Sequence, residues 1–191
     1  MWERAENLQP PVESGKQDIR WPIDGAILYC LAMRYLLNLL VTVAWGLWLG
    51  GTIATFVFGL NLFHKYPDAQ YPGFAGQANS AMFLVFGWYE LGLLAIAVAG
   101  TGALLIVYPS KPTVLLLIAL IFAGGMSITS GLGLAPRLEI LRVEGKTKTE
   151  DFKRWHGKAM IAMMGQSIVL LGAGALLMVT ISWPAEEPRR R

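Results

Sequence analysis

The chain has one cysteine, Cys30, and two histidines, His64 and His156. A single cysteine excludes an intrachain disulfide, and it excludes a zinc or iron–sulfur site built from several cysteines of one chain. The residues ahead of it, Ala26 to Tyr29, place a bulky tyrosine where lipoprotein processing needs a small side chain, so Cys30 reads as a small packing residue. Charge is scarce as well: 15% of the residues are Asp, Glu, Lys or Arg against 54% hydrophobic, far from the composition of a soluble domain. P-loop, serine-protease and dinucleotide patterns are absent, and the GLGLAP run at Gly131 to Pro136 ends an apolar segment instead of following a strand. The formal net charge of +3 comes from short flanks and forms no basic face, which fits contact with a membrane surface and gives no nucleic-acid reader.

What the chain does have is length without charge. A hydrocarbon core of about 30 Å takes about 20 apolar residues per helical crossing, and four segments reach that length: residues 35–63, 81–108, 113–135 and 156–183. The expected fold is an all-α membrane protein, an antiparallel four-helix transmembrane bundle over 26–183, with a polar tail at 1–25 and a basic tail at 184–191. Glu3, Glu6, Glu13, Asp18 and the Pro10-Pro11 pair ahead of the first apolar run do not fit a secretory signal, so the first helix is expected to stay in the mature protein. Trp21-Pro22 and Asp24 mark a helix start near Gly25, with room for a short surface helix before the first crossing. The first uncharged run, Tyr35 to Phe63, is longer than a crossing needs and predicts tilt. The PSKP break at Pro109 to Pro112 returns the third helix directly alongside the second. Beyond Pro136, Leu138, Leu141 and Val143 extend the helix, Gly145 ends it, and Thr149 or Glu150 starts an amphipathic approach to the fourth crossing.

Glu90 is the only acidic residue inside an apolar crossing, where a charge requires a partner, a proton or water. Counted from Ala81 at about 1.5 Å per residue, it lies about 12–14 Å inside its helix. The same count on the other helices brings Thr55, Ser127, Thr129 and Gln166 to its depth. Nearer the surface it gathers Asn61, His64, Asn79, Arg137 and His156. Two readings follow: a proton or small-ligand site, or a hydrogen-bond network holding four helices in register; a shallow Glu90 that snorkels to the headgroups is the third. His156, Met160 and Met163 share a helix face and offer an imidazole and two thioethers, ligands suited to copper(I) or haem iron, although methionine is also an ordinary core filler. Both histidines lie at surface ends of their helices, which disfavours a bis-histidine haem in mid-membrane. Small residues at four-residue spacing, Gly46, Gly50 and Ala54 on the first helix and Ala123, Ser127, Gly131 and Ala135 on the third, suit close helix packing within the bundle or a dimer face.

Taken in order, WGLWLGGT at 45–52 with Phe56 and Phe58, the Pro136-Arg137 exit, and Phe152, His156 and Gly157 before the fourth crossing resemble the transmembrane protein 205-like family, also called domain of unknown function 4149. In that family the His-Gly pair is commonly followed by a serine and then an asparagine, where Ala159 and Met163 stand here, which narrows any polar site implied for this helix to His156. The resemblance implies a multi-pass membrane protein of unsettled activity, distantly similar to four-helix families linked to copper handling and to haem-biosynthetic membrane oxidases. The expected function is that of a non-enzymatic transport accessory or structural membrane subunit without a cofactor. The alternatives are a haem- or copper-binding redox protein and an accessory subunit of a larger complex. The expected surroundings are the lipid bilayer, the cell (inner) membrane if the source is bacterial, with a second copy or a membrane-complex partner. Lys and Arg divide eight to eight between the two sides, so the charge rule assigns no orientation.

Overall fold

The computed structural model describes residues 21–67, 70 and 73–182, with side chains from residue 28 onward. The tail to residue 20, Trp183 and the basic 184–191 tail lie outside the described residues. All regular structure among them is helical: α1 (Trp21–Lys65), α2 (Phe74–Val107), α3 (Lys111–Ile128), a π-helical turn (Thr129–Leu134), α4 (Ala135–Val143) and α5 (Glu150–Ser182). The π turn joins α3 to α4, giving four spans long and apolar enough to cross a membrane: Leu28–Lys65, Phe74–Val107, Lys111–Val143 and Glu150–Ser182. These spans suit a multi-pass integral membrane protein.

The helices exceed the lengths that the apolar runs predict, because each continues into its polar flanks. In α1 the chain is helical from Trp21, so Asp24 lies inside the helix instead of capping it, and among the described residues no separate surface helix precedes the crossing. In α2 the helix starts at Phe74, seven residues before Ala81, behind Gly73 at φ 73°, a left-handed conformation that glycine adopts without strain. The start of α3 follows its sequence signal: Ser110 Oγ accepts the Thr113 N–H at 3.3 Å and Pro112 occupies the first turn. At the far end Gly145, with φ 71°, closes α4, and Thr149 Oγ1 accepts the Phe152 N–H at 3.3 Å to open α5.

Pro136 does not end the third span. Its ring clashes with the preceding turn and it offers no N–H to an α-helical ladder. The six-residue π turn just before it widens the helix, with the Ala135 N–H reaching back five residues to Ser130 O, and α4 continues beyond the proline.

The four spans pack as a ring. Contacts join α1 to α2, α2 to α3, α3 to α5 and α5 to α1, while the backbones of α1 and α3, and of α2 and α5, stay apart across the centre. Positions rise along α1 as their partners fall along α2: Val41 lies against Gly100, Gly51 against Phe86 and Gly59 against Asn79. The α1–α5 seam is the narrowest, and Trp45 stitches it by donating its indole N–H to Leu170 O at 2.7 Å.

Burial is uneven along the bundle axis. One continuous apolar core runs through Val41, Ala44, Trp48, Leu93, Ala97, Leu104, Leu116, Leu120, Ala123, Leu170, Ala173 and Leu177. All of it lies in the half that leads from Glu90 to the α2–α3 connection. In the other half, α5 before Gln166, the π turn and α4 contain no buried residue.

The small-residue stripe on α1 faces outward: Gly46, Gly50 and Ala54 are exposed, and a methyl group on either glycine meets nothing within 4 Å. Close approach uses other glycines. A Cβ at Gly124 falls 2.6 Å from Leu94, and one at Gly174 falls 2.9 Å or less from three atoms of the Trp45 indole. On α3, Ala123 and Ser127 of the predicted stripe are buried while Gly131 and Ala135 are only half-buried. Cys30 is exposed; its backbone carbonyl, and not its thiol, makes the contact, accepting the Tyr108 hydroxyl at 2.5 Å. Gly174→Val is therefore expected to lower stability by about 1–3 kcal/mol, because a rigid, hydrogen-bonded indole cannot move aside. Gly50→Ala should stay within about 0.5 kcal/mol of the parent. Thermal denaturation in detergent, followed by loss of the monodisperse species, compares the two.

Candidate functional site

A carboxyl group in a medium without water has to find its hydrogen-bond donors within the protein. Glu90 is 6% exposed and obtains them from each of the other three spans. From α1, Trp48 Nε1 donates to Oε1 at 3.0 Å. From α5, Gln166 Nε2 donates to the same oxygen at 2.5 Å. From α3, Ser127 Oγ donates to Oε2 at 2.6 Å. Thr52 Oγ1, one turn beyond Trp48, lies 3.3 Å from Oε1 and 2.9 Å from Trp48 O, so its single proton is shared between carboxylate and backbone. Bonds to a carboxylate are stronger than neutral ones, and among the described residues no lysine, arginine or histidine pairs with Glu90.

The position of this cluster is as informative as its chemistry. Glu90 sits sixteen residues from Phe74 and seventeen from Val107, so it lies at mid-span. Ser127 is sixteen residues from both Lys111 and Val143, and Gln166 is sixteen from both Glu150 and Ser182. The earlier start of α2 thus puts Glu90 about 24 Å from the helix start, at the middle of its helix. Its carboxyl group is buried and bonded to three other helices, so it does not snorkel to the headgroups. The bond from Gln166 spans the diagonal on which α2 and α5 make no backbone approach.

Of the residues predicted at this depth, Ser127 and Gln166 reach Glu90. Thr55 is buried but lines an open groove between α1 and α2, about 530 Å³, together with Ala81, Met82, Val85, Phe86 and Tyr89. Thr129 is exposed and returns its hydroxyl to Gly125 O at 2.7 Å. Trp48 and Thr52 were not anticipated. A signal for them exists: Trp48, Thr52 and Thr55 recur at four- and three-residue spacing on one face, and a buried indole N–H needs an acceptor.

The surface-side candidates do not gather around Glu90. Asn61 is exposed and bonds its own helix, Nδ2 to Val57 O at 2.9 Å. Asn79 packs against Gly59, and its Oδ1 is buried without a donor. Arg137 is exposed and lies over the Trp155 ring at 4.7 Å. His156 is exposed and stacks on Phe152, ring centroids 5.8 Å apart, while Met160 and Met163 are half-buried farther along the helix. Among the described residues no three His, Cys, Asp or Glu side chains converge on a common point.

A second polar cluster went unpredicted. Ser80 Oγ donates to Glu139 Oε2 at 2.6 Å, and Arg142 Nε donates to the same oxygen at 2.8 Å while its terminal amino group meets Oε1. This fork holds α4 against the start of α2; the Glu139–Arg142 spacing of three residues is its sequence signature.

Glu90→Gln keeps the shape but turns one acceptor oxygen into a donor, facing Trp48 and Gln166 in one amide orientation and the Ser127 hydroxyl in the other. The fold should persist with stability lowered by about 1–3 kcal/mol. Trp48→Phe should cost about 1 kcal/mol through the lost N–H bond, and denaturation midpoints of the two variants check both figures. Comparison with protein-family models, with curated proteins and with solved structures finds no match to this chain.

Proposed function

We propose that this protein is a non-enzymatic, multi-pass membrane subunit, structural or accessory to transport, whose central carboxylate network fixes the arrangement of its four spans. The observation that carries this reading is the convergence of donors from α1, α3 and α5 on Glu90 at mid-span. A carboxylate engaged by three partner helices serves as a fastener, and an apolar core packs the bundle on one side of it. The likeness to the transmembrane protein 205-like family, carried by the 45–52 segment, Pro136-Arg137 and Phe152, His156 and Gly157, agrees with a multi-pass role, and the cell (inner) membrane is the proposed location if the source is bacterial.

A second reading rests on the uneven burial. On the side away from the core the bundle loosens, and the groove lined by Thr55, Phe86 and Tyr89 opens one turn from Glu90. That geometry favours a proton or small-ligand site reached from one side. Proteoliposomes separate the two readings: equal proton flux with the parent and with Glu90→Gln supports the fastener, and a flux abolished by the substitution overturns it. Purification of the native complex tests the accessory role, with stoichiometric co-purification of a membrane partner as the expected result. An absorption spectrum and metal analysis of the same preparation test the alternative held by His156, Met160 and Met163, and bound haem or copper would favour it.

A further inference from the structure

The segment that links the third and fourth spans is rich in charge, and three of its seven cations have a carboxylate partner among the described residues. Arg142 pairs with Glu139, Lys146 with Glu144 at 2.7 Å and Lys153 with Glu150 at 2.7 Å. Lys148, Arg154, Arg137 and Lys158 have none there, and the last two are set apart by a shared aromatic contact. Among the described residues neither pairs with a carboxylate, and both face the same indole: Arg137 lies 4.7 Å and Lys158 4.3 Å from the centre of the Trp155 ring. Asp151, one turn from Trp155 on α5, is exposed and bridges to neither.

The height of this cluster follows from the mid-span network. Arg137 is ten residues from Ser127, Trp155 eleven from Gln166 and Lys158 eight from Gln166, or about 15, 16 and 12 Å from the centre at about 1.5 Å per residue. Half the thickness of a hydrocarbon core is about 15 Å. Arg137 is also the first charged residue after the uncharged run that ends at Pro136, and Lys158 is the last charged residue before the uncharged stretch of α5. The two cations and the half-buried indole therefore sit where acyl chains give way to phosphates, the level at which tryptophan anchors and long basic side chains extend toward headgroups. Both cations are thus gathered at one indole at that level, with no carboxylate pairing among the described residues.

We infer that Arg137, Trp155 and Lys158 form a binding site for the phosphate headgroup of an anionic phospholipid. The guanidinium supplies a planar pair of donors to the phosphate oxygens and the ammonium a third, while the indole holds both side chains apart and faces the first acyl carbons. The site would bind lipid preferentially on this side of the bundle, next to the loosened half.

Native mass spectrometry of the full chain released from micelles tests the assignment, with phosphatidylglycerol and phosphatidylcholine added in equal amounts. The parent protein should retain phosphatidylglycerol at least tenfold over phosphatidylcholine. The pair Arg137→Gln with Lys158→Gln should remove that preference, since each cation near an anionic surface contributes roughly fivefold. Lys148→Gln with Arg154→Gln removes the same charge from the same segment and should retain the preference. Each protein is checked for a monodisperse, helical state, and Arg137→Lys serves as the milder variant, expected to retain a reduced preference. Equal loss in the Lys148 and Arg154 control would overturn the site in favour of general charge attraction. Displacement of the lipid by millimolar inorganic phosphate would overturn the lipid as its occupant.

Discussion

A carboxyl group inside a bilayer can be tolerated only when the protein supplies the donors that water cannot, and most of the architecture follows from how Glu90 obtains them. Its two oxygens take bonds from Trp48, Ser127 and Gln166, one residue from each of the other spans. A helix that shifts by one residue moves its donor by about 1.5 Å along the axis and about 100° around it, enough to break the bond. The network thus selects one register for all four helices, which apolar packing in lipid does weakly, because lipid tails compete with leucine for the same surfaces.

The rest of the bundle divides at this plane. On one side large apolar residues and close glycine contacts, Gly100 with Val41 and Gly174 with Trp45, make a continuous core. On the other side α4, the π turn and the start of α5 hold no buried residue, the π turn widens the third span ahead of Pro136, and polar contacts lie near the surface: Ser80 and Arg142 on Glu139, and Arg137 and Lys158 on Trp155. The polar contacts on that side depend on long, flexible side chains, so this half has more freedom than the packed one. Any exchange with solvent or lipid that reaches Glu90 is expected from there.

The four crossings are legible in the sequence because an uncharged apolar run of spanning length rarely occurs outside a membrane. Glu90 stands out as well, since a lone acid in such a run must find donors or a proton, and counting rise per residue matches Ser127 and Gln166 to its depth. The count works for relative depth, but the distance from the helix start is longer than counted, because the apolar run in α2 begins at Ala81 while the helix begins at Phe74. Facing is the other gap. Depth alone puts Thr129 beside Glu90 and Asn61 near Asn79, yet Thr129 and Asn61 turn outward and bond their own helices. Trp48 stands in the sequence as part of an aromatic motif and not as a donor, although its indole N–H in mid-membrane needs an acceptor as much as Glu90 needs a donor.

The central claim is that Glu90 acts as a hub, so that the polar groups of its partners matter to stability only through it. Double-mutant cycles measure this directly, with Trp48→Phe, Ser127→Ala and Gln166→Leu each introduced into the parent and into Glu90→Leu, and unfolding followed in detergent. Each partner substitution should destabilise the parent by about 1 kcal/mol and be neutral or stabilising once Glu90 is apolar, since removing both members of a buried polar pair leaves nothing unsatisfied. Equal losses in the two backgrounds would contradict the account.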